Sequence, residues 1–79
     1  MIVKEAIGLL MTTSHLILRG TSGKVYYDSD NNTIKTRQKY EEYECPGQPI
    51  DIVIKSTESF AYPCIVVWFR DYGLSNKNN

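Results

Sequence analysis

Y-P-C-I-V-V-W-F-R-D-Y, running from Tyr62 to Tyr72, is the stretch that decides the fold. From Cys64 to Phe69 both alternating faces are apolar. Cys64, Val66 and Trp68 lie on one, and Ile65, Val67 and Phe69 on the other. A β-branched and aromatic run bounded by Pro63 and by Arg70-Asp71 predicts a strand covered on both sides. One cover is expected from the chain's own N-terminal helix. Segment 33–39 supplies the second cover, or else that face is a binding surface.

Upstream of this strand, Pro46-Gly47-Gln48-Pro49 is a turn signal, and Ile50–Lys55 then alternates. The alternation predicts Ile50, Ile52 and Ile54 inward, with Asp51, Val53 and Lys55 outward. Gly20-Thr21-Ser22-Gly23 predicts the turn of a hairpin between strands at His15–Arg19 and Lys24–Asp28. Ile2, Ala6, Leu9, Leu10 and Thr13 follow helical spacing, which predicts an amphipathic helix over 2–13. Gly8 weakens it by ~1 kcal/mol relative to Ala, and Thr12-Thr13-Ser14 ends it. Residues 33–45 read as a short helix or irregular stretch near 33–39 that passes into a strand near 40–45.

These elements make an α+β domain with the N-terminal helix packed on an antiparallel sheet of four or five strands. Strands 50–55 and 64–70 form its centre, and helix 2–13 covers the isoleucine face. A chain of 79 residues is expected to form a single small domain, with 75–79 as a frayed tail.

A domain of this size buries roughly 60–65% of the surface its unfolded chain exposes, so reinforcement by a metal or by oligomerisation is attractive. Nine basic and nine acidic residues cancel. That balance argues against nonspecific nucleic-acid binding, which needs a positive excess. No window approaches the ~20 apolar residues of a membrane span. Ile2–Met11 is apolar but interrupted by Glu5, with no basic region before it, so a signal peptide is not expected. The expected compartment is the cytoplasm, where Cys45 and Cys64 stay reduced.

Candidate chemistry is sparse. Asp28-x-Asp30-x-Asn32 opens like a calcium loop, but Thr33 and Lys39 stand where that loop needs Gly and Glu, so a solvated turn is the better reading. His15, Cys45 and Cys64 are the soft or imidazole side chains available to zinc, which would need a carboxylate such as Asp51 or a second subunit to complete four ligands. If 40–45, 50–55 and 64–70 form a meander, the two cysteines sit at opposite ends of the sheet, roughly 17–20 Å apart. Buried, inert cysteines are then the simpler reading, and no cofactor is required. One histidine and no nucleophile-elbow glycines give a poor case for nucleophilic catalysis.

The charge pattern is more suggestive. Lys35, Arg37 and Lys39 precede the acidic, aromatic run Tyr40-Glu41-Glu42-Tyr43-Glu44, in a chain with six tyrosines. Such a run suits a surface that meets a basic, nucleic-acid-binding protein partner, with Trp68 as a further contact. The plainer reading is a solvated edge strand whose charges prevent edge-to-edge pairing.

The succession K-E-A-I-G-L-L, G-K-V-Y-Y-D-S-D, D-I-V-I-K-S and I-V-V-W-F-R-D-Y resembles small accessory proteins of phages and prophages of Gram-positive bacteria. Among these the chain is similar to the type II anti-CRISPR proteins. The resemblance implies a non-enzymatic inhibitor that binds a host protein, the RNA-guided nuclease, and blocks its DNA targeting. Near-zero net charge departs from the strongly acidic DNA mimics of that group, so binding to a protein lobe of the nuclease is expected. The alternative is a phage structural or regulatory module acting as a homo-oligomer, with Trp68 and its neighbours at the subunit interface. Monomer and homodimer both remain open.

Overall fold

A computed structural model describes residues 1–10 and 15–74. In chain order the elements are α1 (Val3–Gly8), β1 (Leu16–Gly20), β2 (Val25–Asp28), α2 (Ile34–Gln38), β3 (Ile50–Ser56) and β4 (Ala61–Phe69). The strands form one sheet in the order β2-β1-β4-β3. It is mixed, which corrects the antiparallel expectation: β1 lies parallel to β4, from Leu16 beside Ile65 to Gly20 beside Phe69. The outer pairs are antiparallel. Strand 50–55 was expected at the centre beside 64–70, but β3 is an edge.

Local chemistry accounts for the two hairpins. Gly23 adopts φ 101°, open to glycine at no steric cost, and its N–H closes on the Gly20 carbonyl at 2.9 Å. A bulge between Leu18 and Arg19 shifts the register of β2. Tyr26 and Tyr27 then both reach the same hydrophobic cluster. In the β3–β4 connection the Thr57 hydroxyl accepts the N–H groups of Ser59 and Phe60, each at 3.2 Å. Pro63 sits inside β4 without cost. The Ile65 N–H points to the His15 carbonyl at 3.0 Å. The position of Pro63 faces the same side, beyond the start of β1, so no ladder bond is lost.

The N-terminal helix is shorter than the expected 2–13. Leu9 and Leu10 donate to Ala6 and Ile7, three residues back, at 3.2 and 3.1 Å, a tightened last turn that follows Gly8. Its expected end at Thr12-Thr13-Ser14 lies outside the described residues, as does the tail at 75–79. The expected strand at 40–45 is absent; residues 39–42 are turns and only Glu44 forms an isolated bridge, with Ile2. Its carbonyls serve another purpose. Val3 N–H donates to the Tyr43 carbonyl at 2.9 Å and Lys4 N–H to that of Glu41 at 2.8 Å. These satisfy N–H groups that every helix start leaves free. Glu5 returns to the Ile2 N–H at 2.9 Å, half of a capping box.

Two clusters lie on opposite faces of β4. The larger joins Val3, Ala6, Leu16, Leu18, Tyr27, Cys45, Val67 and Phe69, all buried. The smaller joins Ile17, Cys64 and Val66, with Trp68 packed against it. Segment 33–39 does not cover the second face: α2 buries none of its residues. On that face Trp68 packs against the cluster, and the Arg19 guanidinium lies over its ring.

A second anchor ties the end of β4 to the first hairpin. Asp71 is 2% exposed and accepts from the Thr21 hydroxyl at 3.3 Å, the Ser22 N–H at 3.2 Å, the Ser22 hydroxyl and the Tyr26 hydroxyl at 2.8 Å. Burial acts to raise its pKa, but the bonds from Ser22 and Tyr26 outweigh it and hold the carboxyl below its usual range. Tyr26, half-buried, is pushed up to about 12 by desolvation and by its bond to that carboxylate.

Candidate protein-binding surface

Large apolar side chains are exposed on β3. Ile50, Ile52 and Ile54 are 37%, 62% and 68% exposed. This overturns their expected burial beneath the N-terminal helix. The reason is dimensional. Six residues of α1 span about 9 Å, whereas four strands at ~4.8 Å spacing make a sheet about 14 Å wide. Val3 and Ala6 are spent on the cluster of β1 and β4, and β3 lies one strand further out. Gly8, in the middle of the expected helix, was the signal that the cover would be short.

At its start this strip runs into a groove of about 550 Å³, lined by Met1, Leu9, Cys45, Pro46, Pro49, Ile50 and Arg70 among others. Leu9 is 64% exposed there. Main-chain bonds fix its walls: Cys45 N–H to the Met1 carbonyl at 2.8 Å, Arg70 N–H to Glu44 at 2.7 Å and Trp68 N–H to Pro49 at 2.7 Å. The N-terminal ammonium lies 3.8 Å from the Glu44 carboxylate.

The residues singled out from sequence divide. Tyr40 and Tyr43 pack on the larger cluster, each ring 5.6 Å from that of Phe69. Glu41 pairs with Arg37 at 3.2 Å. Glu42 and Glu44 are exposed. Trp68 is half-buried on the opposite face, with the Arg19 guanidinium 5.0 Å above its ring.

His15, Cys45 and Cys64 do not converge. Cys45 belongs to the larger cluster and Cys64 to the smaller one on the other face, which replaces the expected meander as the cause of their separation. Both thiols are free, and burial pushes their pKa values up. His15 Nδ1 lies 3.0 Å from Asp30. Among the described residues no group of three or more His, Cys, Asp or Glu could hold a metal ion.

Asp28 and Asp30, read as a calcium-like opening, are taken by Lys55. Its ammonium lies 2.7 and 2.9 Å from the two Asp28 oxygens and 3.0 Å from Asp30. Tyr62 donates to Asp30 at 2.8 Å. Bonds from Lys55, Tyr62 and His15 lower Asp30 to about 2. Desolvation works to lower the Lys55 pKa, but the two carboxylates raise it overall. Sequence reading missed this network because its members lie on separate hairpins.

No helix among the described residues is long and apolar enough to cross a membrane. Comparison of the chain with protein-family models, with curated proteins and with solved structures finds no match in any of the three.

Proposed function

We propose that the protein acts by binding another protein rather than by catalysis. In its specific form it is an inhibitor of phage origin that engages a type II RNA-guided nuclease and blocks DNA targeting. One observation carries the binding reading: Ile50, Ile52 and Ile54 stand exposed in a row that runs into the groove at Leu9 and Ile50. Exposed apolar surface of this kind marks interaction sites. Glu42 and Glu44, exposed in the segment that leads into the groove, supply the polar rim that partner surfaces use. The resemblance to phage accessory proteins supplies the nuclease.

The test is target-DNA cleavage by a panel of guide-loaded type II nucleases after incubation with the purified chain. Loss of cleavage with co-elution of chain and nuclease is expected. Weakening by Glu42→Lys with Glu44→Lys places the contact. Undiminished cleavage and no co-elution across the panel overturns the nuclease assignment.

A further inference from the structure

We propose that the free edge of β3 recognises a second copy of this chain, the two strands pairing antiparallel about a two-fold axis at Val53. This goes beyond the nuclease reading and does not rest on it, although both use β3.

The edge is open. β3 is the outermost strand, and its seven residues pair with β4 without interruption from Ile50 to Ser56. Trp68 donates to the Pro49 carbonyl, which fixes the alternation: Asp51, Val53 and Lys55 bond toward β4, and Ile50, Ile52, Ile54 and Ser56 bond outward. The Ile52 N–H turns instead to its neighbour's carboxylate, Asp51 Oδ1, at 2.8 Å. That bond is local and exchangeable. The opposite edge is protected: β2 has four residues and carries the bulge, the devices that discourage edge pairing. β3 carries neither a proline nor a bulge within it.

The sequence I-D-I-V-I-K-S chooses the occupant and the register. With the axis at Val53, Asp51 lies opposite the partner's Lys55, and Ile52 opposite the partner's Ile54, each twice. An axis at Ile52 sets Lys55 against the partner's Pro49, and one at Ile54 sets Asp51 against the partner's Thr57. Axes at Asp51 or Lys55 oppose like charges, which destabilises a pair. Only Val53 matches charge with charge and apolar with apolar. Ile52 and the partner's Ile54 then exchange main-chain bonds, and Asp51 is released from the Ile52 N–H. Lys55 leans away from the free edge and donates to Asp28 and Asp30, so pairing with the partner's Asp51 exchanges one of those bonds for a bond across the edge.

Sedimentation equilibrium over a concentration series, up to the millimolar range, tests this. A mass rising from 9.1 kDa toward twice that value is expected. Ile52→Pro removes only an outward N–H and leaves the ladder to β4 intact, so it gives a folded monomer by circular dichroism and mass. If Ile52→Pro fails to fold, Asp51→Lys decides, since it opposes Lys55 of the second copy and raises the dissociation constant at least tenfold. Val53→Cys, at a pair with β-carbons about 4.5–5.5 Å apart, forms an interchain disulfide under mild oxidant, while Ser56→Cys does not. A wild-type mass of one chain at every concentration overturns the proposal. So does a dimer undisturbed by Asp51→Lys, or equal crosslinking through positions 53 and 56. Nuclease binding retained by monomeric Asp51→Lys would leave the functional reading standing on its own.

Discussion

The buried carboxylate of Asp71 occupies the space that a side chain at Gly20 would need. A β-carbon built on Gly20 collides with that carboxylate and comes within 2.8 Å of the Tyr26 ring. β1 can therefore end only in glycine while Asp71 ties the segment after β4 to the first hairpin. Gly20→Ala must displace Asp71 from a set of four donors. Overpacking of this kind costs about 1–3 kcal/mol, and each kcal/mol lowers Tm by roughly 4–8 °C in a domain this size. Thermal melts by circular dichroism should show the loss, and an unchanged Tm would contradict the collision.

Removing a donor tests the same anchor from the other side. Tyr26→Phe deletes one bond to a buried charge, worth about 1.5–3 kcal/mol, and should raise the Asp71 pKa toward its ordinary value. Because the folded-state pKa of Asp71 is lowered, its stabilisation is present above the unfolded value and fades as pH falls through the folded one. Stability measured by urea titration should therefore fall from about pH 4 downward in the wild type. Asp71→Asn should lose stability at neutral pH and show a shallower acid decline.

Lys55→Met removes the cation shared by Asp28 and Asp30. Asp30, held at about 2 against an ordinary 3.8, contributes stability above pH 3.8 that is lost toward pH 2. In the variant its titration should move up toward the ordinary value. Carboxyl resonances followed by NMR against pH measure this directly. An Asp30 midpoint that stays near 2 would show that Lys55 is not its main support.

Trp68 reports on the face of β4 opposite α1. Arg19→Ala takes away the guanidinium above its ring, a contact worth about 0.5–1 kcal/mol at an exposed site. Acrylamide quenching of the single tryptophan should rise in the variant, while near-identical quenching would mean that other side chains shield the ring.

Cys45 and Cys64, buried and with raised pKa values, should react slowly with an aromatic disulfide reagent at pH 8 and fast in denaturant. Rapid native-state reaction of either thiol would show that its cluster opens readily.

The two hairpins were legible because their signals are local. Gly20-Thr21-Ser22-Gly23 marks one turn, and the apolar run in β4 marks a strand whose both faces are in fact occupied. Alternation in Ile50–Lys55 correctly marked β3 as a strand, yet the isoleucine face is not covered, and Asp51 and Val53 on the other face are exposed as well. Alternation says that two faces differ and is silent on whether either is covered; for the isoleucine face that depends on how far α1 reaches. Tyr40–Glu44 alternates too, but its carbonyls cap α1, a use no periodicity records. The parallel pairing of β1 with β4 depends on contacts between distant segments and left no trace in spacing. Of the candidate surface, Glu42 and Glu44 were named from sequence, whereas the isoleucine row emerged only with the strand order.

That parallel pairing also governs how the molecule comes together. Leu16 meets Ile65 about fifty residues along the chain, and closing so long a loop costs entropy before any contact repays it. Each hairpin is a local event on the microsecond scale; joining them down the middle of the sheet is not. The contact between β1 and β4 is thus the expected slow step in folding. Until it occurs, Val67 and Phe69 have no neighbours from β1, and the half that carries β3 exposes apolar residues on more than its outer strand. Chain collisions at that stage, rather than instability of the finished fold, set the concentration at which refolding yields fall.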